Sequence, residues 1–252
     1  TVQVTVDGQV LAATNNGDGT WTLADGSLAA LAEGTYNVAV AATDAAGNVG
    51  NDGSAGELTI DTTPPAVTVD GLTTNDTTPE LTGTIDDTTA TVQVTVDGQV
   101  LAATNNGDGT WTLADGSLTA LAEGTYNVAV AATDAAGNVG NDASADELVV
   151  DTTPPAVTVG ALITNDTTPA LTGTVDDTAA TIQVTVDGQV LVATNNGDGT
   201  WTLADGALTA LAEGAYNVAV AATDAAGNVG NDGSAGELTI DTTPPAVTVD
   251  GL

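Results

Sequence analysis

The sequence predicts an all-β chain of tandem β-sandwich domains with a 90-residue period, and three observations carry that expectation. The segment TVQVTVDGQVLAATNNGDGTWTLADG at Thr1 recurs at Thr91 and, beginning TIQVTV, at Thr181. Val, Leu, Ile, Thr and Ala alternate with the two-residue period of half-buried strands, in short runs bounded by Gly, Asn, Asp and Pro. Each repeat also carries a Trp and a Tyr, such as Trp111 and Tyr126, large enough to organise a core.

A unit of this length is too long for one turn of a solenoid and suits one Ig-like sandwich, which takes about seven strands and roughly 100 residues. DTTPP segments at 61–65, 151–155 and 241–245 read as linkers, because paired prolines fix φ and cannot donate to a ladder. The expected division is a partial repeat at 1–61 without its first two strands, complete repeats at 62–151 and 152–241, and the first strand of another at 242–252. With no Met and a start inside a repeat, the chain is expected to be a piece of a longer protein. The alternative is that copies complete each other's sandwiches by strand exchange.

Within 62–151 the pattern predicts strands at 66–72, 80–85, 91–96, 99–104, 110–114, 125–133 and 147–151. Asp97-Gly98 has the chemistry of a two-residue primed hairpin, and NNGDG at 105–109 that of a longer turn. Residues 134–144 read as a loop. Tyr126, at the start of a late strand, resembles a tyrosine corner, and Trp111 the central core side chain.

Charge is the second theme. The chain has 34 acidic residues and no Lys, Arg or His, so no side chain can offset a formal charge of −34. Such imbalance alone suggests disorder, but 42% hydrophobic content in strand-like alternation can bury a core, so the acidity belongs to a folded protein. Crowded carboxylates oppose compaction unless bound cations neutralise them, and calcium prefers carboxylate and carbonyl oxygen. Without Cys there are no disulfides or thiolate metal sites, and no apolar run is long enough to span a membrane. Catalysis loses its usual general bases and nucleophiles, leaving only an acid-pair hydrolase without an evident cleft. Nucleic acid is excluded as a partner, since nothing neutralises phosphate, and isopeptide cross-links would need Lys.

Topology sorts the acids. In an Ig-like sandwich the incoming linker shares a pole with the loop after the second strand and the loop before the last. For repeat 62–151 that pole gathers Asp61, Asp86, Asp87, Asp134 and Asn138; for repeat 152–241 it gathers Asp151, Asp176, Asp177, Asp224 and Asn228. The preceding repeat would place Asn75-Asp76, or Asn165-Asp166, on the other side of a joint. Calcium takes about 6–8 oxygens, which such a group can supply with carbonyls and water. The competing explanation is that Asp and Asn in these loops only shape turns. Turn chemistry is sufficient for Asp7, Asp97 and Asp187, and a Gly-rich loop accounts for Asp18, Asp108 and Asp198. Asp70, Glu80 and Asp146 are replaced by Gly160, Ala170 and Gly236 in the next copy, so no shared site depends on them.

The linker DTTPP, the loop TNDTTP, and GTWTL, LAEGTYNVAVAATDAAGN and the returning strand together resemble the bacterial Ig-like repeats of giant RTX-type adhesins, over the whole chain. That resemblance implies type I secretion, tethering at the bacterial surface, and calcium at domain joints. Carried onto this chain, the joint positions are Asp61, Asp151 and Asp241 in the linkers and Asp44, Asp134 and Asp224 before AAGN. No glycine-rich nonapeptide repeat occurs, so the resemblance is to the extender region. The expected role is a calcium-rigidified extracellular stalk whose partners are calcium and neighbouring repeats. Lateral self-association into a matrix fibre, and direct binding of sugar or ice, stand as alternatives.

Overall fold

The computed structural model describes residues 1–248, and among them there are strands and turns but no helix. The expectation of tandem Ig-like β-sandwiches is borne out. In the middle repeat, strand Thr91–Val96 lies between Gln99–Asn105 and Val128–Thr133, antiparallel to both. The sheet continues through Thr110–Leu113 to Leu81–Thr84 on one side and to Val139–Asn141 on the other. A three-stranded sheet faces it, with Leu148–Val150 antiparallel to Gly124–Tyr126 and parallel to Leu72–Thr74. Each complete repeat closes its own core, one built around Trp111 with Leu81, Val94, Val130 and Leu148, the next around Trp201 with Leu171, Val184, Val220 and Leu238. Asp97 and Gly98 both have positive φ, 48° and 74°, as a type I′ hairpin requires.

Three details depart from the pattern-based reading. The strand expected at 66–72 is split: Val67 bridges Ile85, and Thr68 and Asp70 donate to Thr84 and Thr82, before Leu72–Thr74 crosses to the opposite sheet. The run expected as one strand at 125–133 likewise divides at Asn127, with Gly124–Tyr126 in one sheet and Val128–Thr133 in the other. Alternation alone cannot show such a crossing, because the two-residue period continues through it. Finally, the loop expected at 134–144 contains a short edge strand, Val139–Asn141. A Cβ on Gly140 would lie 1.7 Å from the Pro65 carbonyl oxygen, so glycine there lets the linker lie against this strand. Gly230 and Pro155 repeat the contact at 1.6 Å.

The aromatic residues do what the sequence suggested. Trp111 is fully buried and its Nε1–H donates to Thr68 O at 2.8 Å; Tyr126 Oη donates to Ala122 O at 2.9 Å. In segment 1–61 the equivalent Trp21 is 39% exposed, since the strands that cover Trp111 have no counterpart there. The expected strand at 242–252 falls partly on 249–252, outside the described residues; 242–248 form none.

Candidate metal site at the joints

The linker threads onto the following repeat through backbone bonds that fix the pole. Ala66 N–H donates to Asp86 Oδ1 at 2.7 Å while Asp86 N–H donates back to Ala66 O at 3.1 Å. Ala156 and Asp176 repeat the pair at 2.7 and 3.1 Å. In the loop after Thr133, Asp134 Oδ1 accepts from the N–H groups of Ala136 and Asn138, and its Oδ2 accepts from Asn138 Nδ2 at 2.8 Å. The same Nδ2 reaches the linker at Asp61 O, 3.1 Å away. Asn228 does likewise, bonding Asp224 Oδ2 at 2.9 Å and Asp151 O at 2.7 Å.

The side chains so placed line one cleft per joint. Asp61, Pro64, Pro65, Asp86, Asp87 and Asp134 surround the first, of about 300 Å³. Asp151, Asp176, Asp177 and Asp224 line the second, of about 520 Å³, together with Glu123 from the preceding repeat. The charges sense one another. Hydrogen bonds from Thr89, its N–H first, hold the Asp87 carboxyl below its ordinary range, while the Asp134 charge pulls it up. The side-chain amide of Asn138 is the main reason the Asp134 carboxyl is also depressed. At Asp224 burial opposes ionisation, yet hydrogen bonds from Asn228 and its neighbours prevail and lower it.

Oxygen availability tests whether calcium suits the cleft. Each of Asp61, Asp86 and Asp87 commits Oδ1 to a backbone N–H, of Thr63, Ala66 and Thr89 respectively. Their Oδ2 atoms have no hydrogen bond within the described residues, so three residues that line the first cleft each keep one uncommitted carboxylate oxygen. Asp151, Asp176 and Asp177 keep the same arrangement, capping Thr153, Ala156 and Ala179. Every donor is a hard oxygen, as calcium requires. The spacing is wider than a formed site: no group of three or more acidic side chains among the described residues comes within metal-holding distance.

The remaining expected positions fall elsewhere. Asp76 and Asp166 turn back on their own loops, accepting from Thr78 and Thr168 N–H at 2.8 and 2.9 Å. Asp44 holds Asn48 as Asp134 holds Asn138, and Asp241 caps Thr243. One participant went unread in the sequence: Glu123 Oε2 accepts from Thr152 Oγ1 at 3.0 Å and Thr153 Oγ1 at 2.7 Å, tying the linker to the repeat it leaves. Glu33 and Glu213 do the same with Thr62-Thr63 and Thr242-Thr243. The recurrence of LAEG together with the Thr-Thr of every linker was the available signal.

The profile of the bacterial Ig-like domain matches at 1–62, 67–152 and 160–242. The chain belongs to that family. The resemblance carried by DTTPP and TDAAGN is thus borne out at family level. Among solved structures, a tetra-tandem repeat in the extending region of a large adhesion protein is 29% identical over 96% of this chain and 67% of that one, with a TM-score of 0.36. A Ca²⁺-stabilised adhesin of an Antarctic bacterium that binds ice is 23% identical over 96% of this chain and 66% of that one, TM-score 0.40. Fibronectin(III)-like modules of Clostridium thermocellum CbhA are 14% identical, covering 69% and 93%, TM-score 0.42. No curated protein matches.

Proposed function

We propose that this chain is a length of a bacterial adhesin stalk, exposed outside the cell, whose joints are stiffened by calcium. The observation that carries the reading is the convergence of Asp61, Asp86, Asp87 and Asp134, and of Asp151, Asp176, Asp177 and Asp224, on one cleft at each joint of a chain without a cationic side chain. Bound calcium would supply the missing positive charge. The linker and loop carboxylates would then draw together instead of repelling, and the joint would resist bending away from the angle it already holds. Extracellular modules bind calcium at about 10⁻⁴–10⁻³ M, so stiffness would follow export. A strand of seven residues, as at Gln99–Asn105, spans ~23 Å, and a repeat with its linker would advance the rod by ~40 Å.

The test is calorimetric titration with calcium alongside small-angle scattering. At 10 mM calcium, sites of that affinity contribute about 1.4–2.7 kcal/mol each, which should raise melting and lengthen the particle. No binding heat, with scattering unchanged by chelator, removes the proposal. Lateral self-association is favoured by one separate observation: no strand among the described residues contains Asp or Glu, so the sheet faces are uncharged, with Val100 and Val190 each 58% exposed. Bundles in the same scattering data would support that second reading.

A further inference from the structure

The sequence TDAAGN occurs identically at 43–48, 133–138 and 223–228, yet the three copies are not equally covered. Ala46 and Ala136 are exposed, whereas Ala226 is 8% exposed; Asn48 is exposed, Asn138 half-buried, and Asn228 only 7% exposed. Identical residues in identical loops owe such a difference to what lies against them. Against the third loop lies the turn that follows strand Leu72–Thr74 of the preceding repeat: Asn75 N–H donates to Ala226 O at 3.0 Å. The Asn75 amide lies over Gly227, where an added Cβ would stand 3.8 Å from Nδ2 and φ is +92°. Among the described residues the second loop has no such neighbour.

We infer that the Asn75 turn and the Ala226-Gly227 loop form a docking surface between successive repeats, a latch that sets their angle without metal. The other hydrogen bonds of this joint, Glu123 to Thr152 and Thr153 and Asn228 to Asp151 O, pass through the linker. They hold the linker to each repeat and do not themselves join one repeat to the next. The Asn75 bond joins repeat to repeat directly, and since donor and acceptor are both backbone groups it involves no ionisable atom. Chelator and moderate acid therefore leave it intact. The partner it fits is a following repeat of the same kind, and the same turn sequence recurs at Asn165-Asp166.

The inference concerns the stalk joint but not its calcium, so it is tested in chelator on the unmodified chain. Asn75 and Asn165 stand in equivalent turns, TNDTTP, and among the described residues Asn75 N–H has a partner while Asn165 N–H has none. Amide hydrogen exchange should be at least about tenfold slower at Asn75 than at Asn165. Equal exchange overturns the latch, whatever calcium does. A second measurement places spin labels at Val100→Cys and Val190→Cys, both exposed positions in a chain with no native Cys. The distance distribution in chelator should be narrow, broaden in N75P, which lacks the donor, and remain narrow in the control N165P. A distribution already broad before substitution, or unchanged by N75P, refutes the inference.

Discussion

Glu147 offers the sharpest test of how these sandwiches tolerate their acidity. It is 9% exposed, and its Oε2 accepts the Val128 N–H at 2.9 Å. That N–H needs a partner because the chain changes sheets at Asn127, which takes Val128 out of register with the strand before it. Glu147 Oε1 has no protein partner, and Glu237 in the next repeat repeats both features with Val218. Glu147→Ala removes the acceptor and strands a fully buried donor, which costs about 1–3 kcal/mol, with a cavity in addition. For a repeat of this size that lowers the melting temperature by roughly 4–24 °C. Glu147→Gln keeps a carbonyl for Val128 and deletes the buried charge, at the expense of an unpartnered amide, so its stability should fall within about 1 kcal/mol of the original. Scanning calorimetry on the two variants, with the unaltered Glu237 repeat as internal reference, makes the comparison. If Gln destabilises as much as Ala, the charge itself is required, and the account of Glu147 as a cap for the sheet crossing is wrong.

Gly83→Ala should be among the most damaging small substitutions, since its Cβ would lie 2.0 Å from Thr68 O and 2.7 Å from Trp111 Nε1. Prising apart that bond and overpacking the core should cost about 2–4 kcal/mol in urea unfolding, and an unchanged midpoint would contradict the packing described. Acid titration followed by NMR should find the Asp134 carboxyl ionising below 3.8, its reference value, and moving up in Asn138→Ala. Because the folded pKa is lowered, this contribution is fully present above the unfolded value and is lost as pH falls through the folded one. An Asp134 midpoint indifferent to Asn138 would remove the amide bridge from the joint.

How far the sequence carried the fold depends on which signals are local. Repeat length, the alternation around Thr91–Val96, the Asp97-Gly98 hairpin and the roles of Trp111 and Tyr126 all follow from periodicity and turn chemistry within a few residues. The sheet crossings at residues 70–72 and at Asn127 do not, because whether a strand keeps one partner or changes it is decided by tertiary packing. Val139–Asn141 escaped notice because Gly140 reads as a loop residue until Pro65 is seen crossing it. At the joint, the polar convergence of Asp61, Asp86, Asp87 and Asp134 was legible from topology, and so was Asn75 facing the next repeat. What could not be read was the division of labour between neighbours: Asp76 satisfies its own turn while the adjacent Asn75 backbone makes the contact.

That division bears on how a chain of −34 can be both folded and extended. Among the described residues the strands carry no acid, so each sandwich assembles from uncharged faces, and its carboxylates are left to loops, where most are engaged by nearby N–H and hydroxyl donors. Such hydrogen bonds stabilise an individual carboxylate but do not remove its charge, so repulsion persists wherever loops from two repeats meet. A joint held only by carboxylates would therefore open whenever cations are scarce. The backbone bond from Asn75 to Ala226 does not depend on neutralisation, so it can hold the register of two repeats while the cleft is still charged. A cation arriving later then meets carboxylates already near one another and need not bring the repeats together. Orientation would come from uncharged contacts, and the ionic part of the joint would govern only how strongly that orientation is kept.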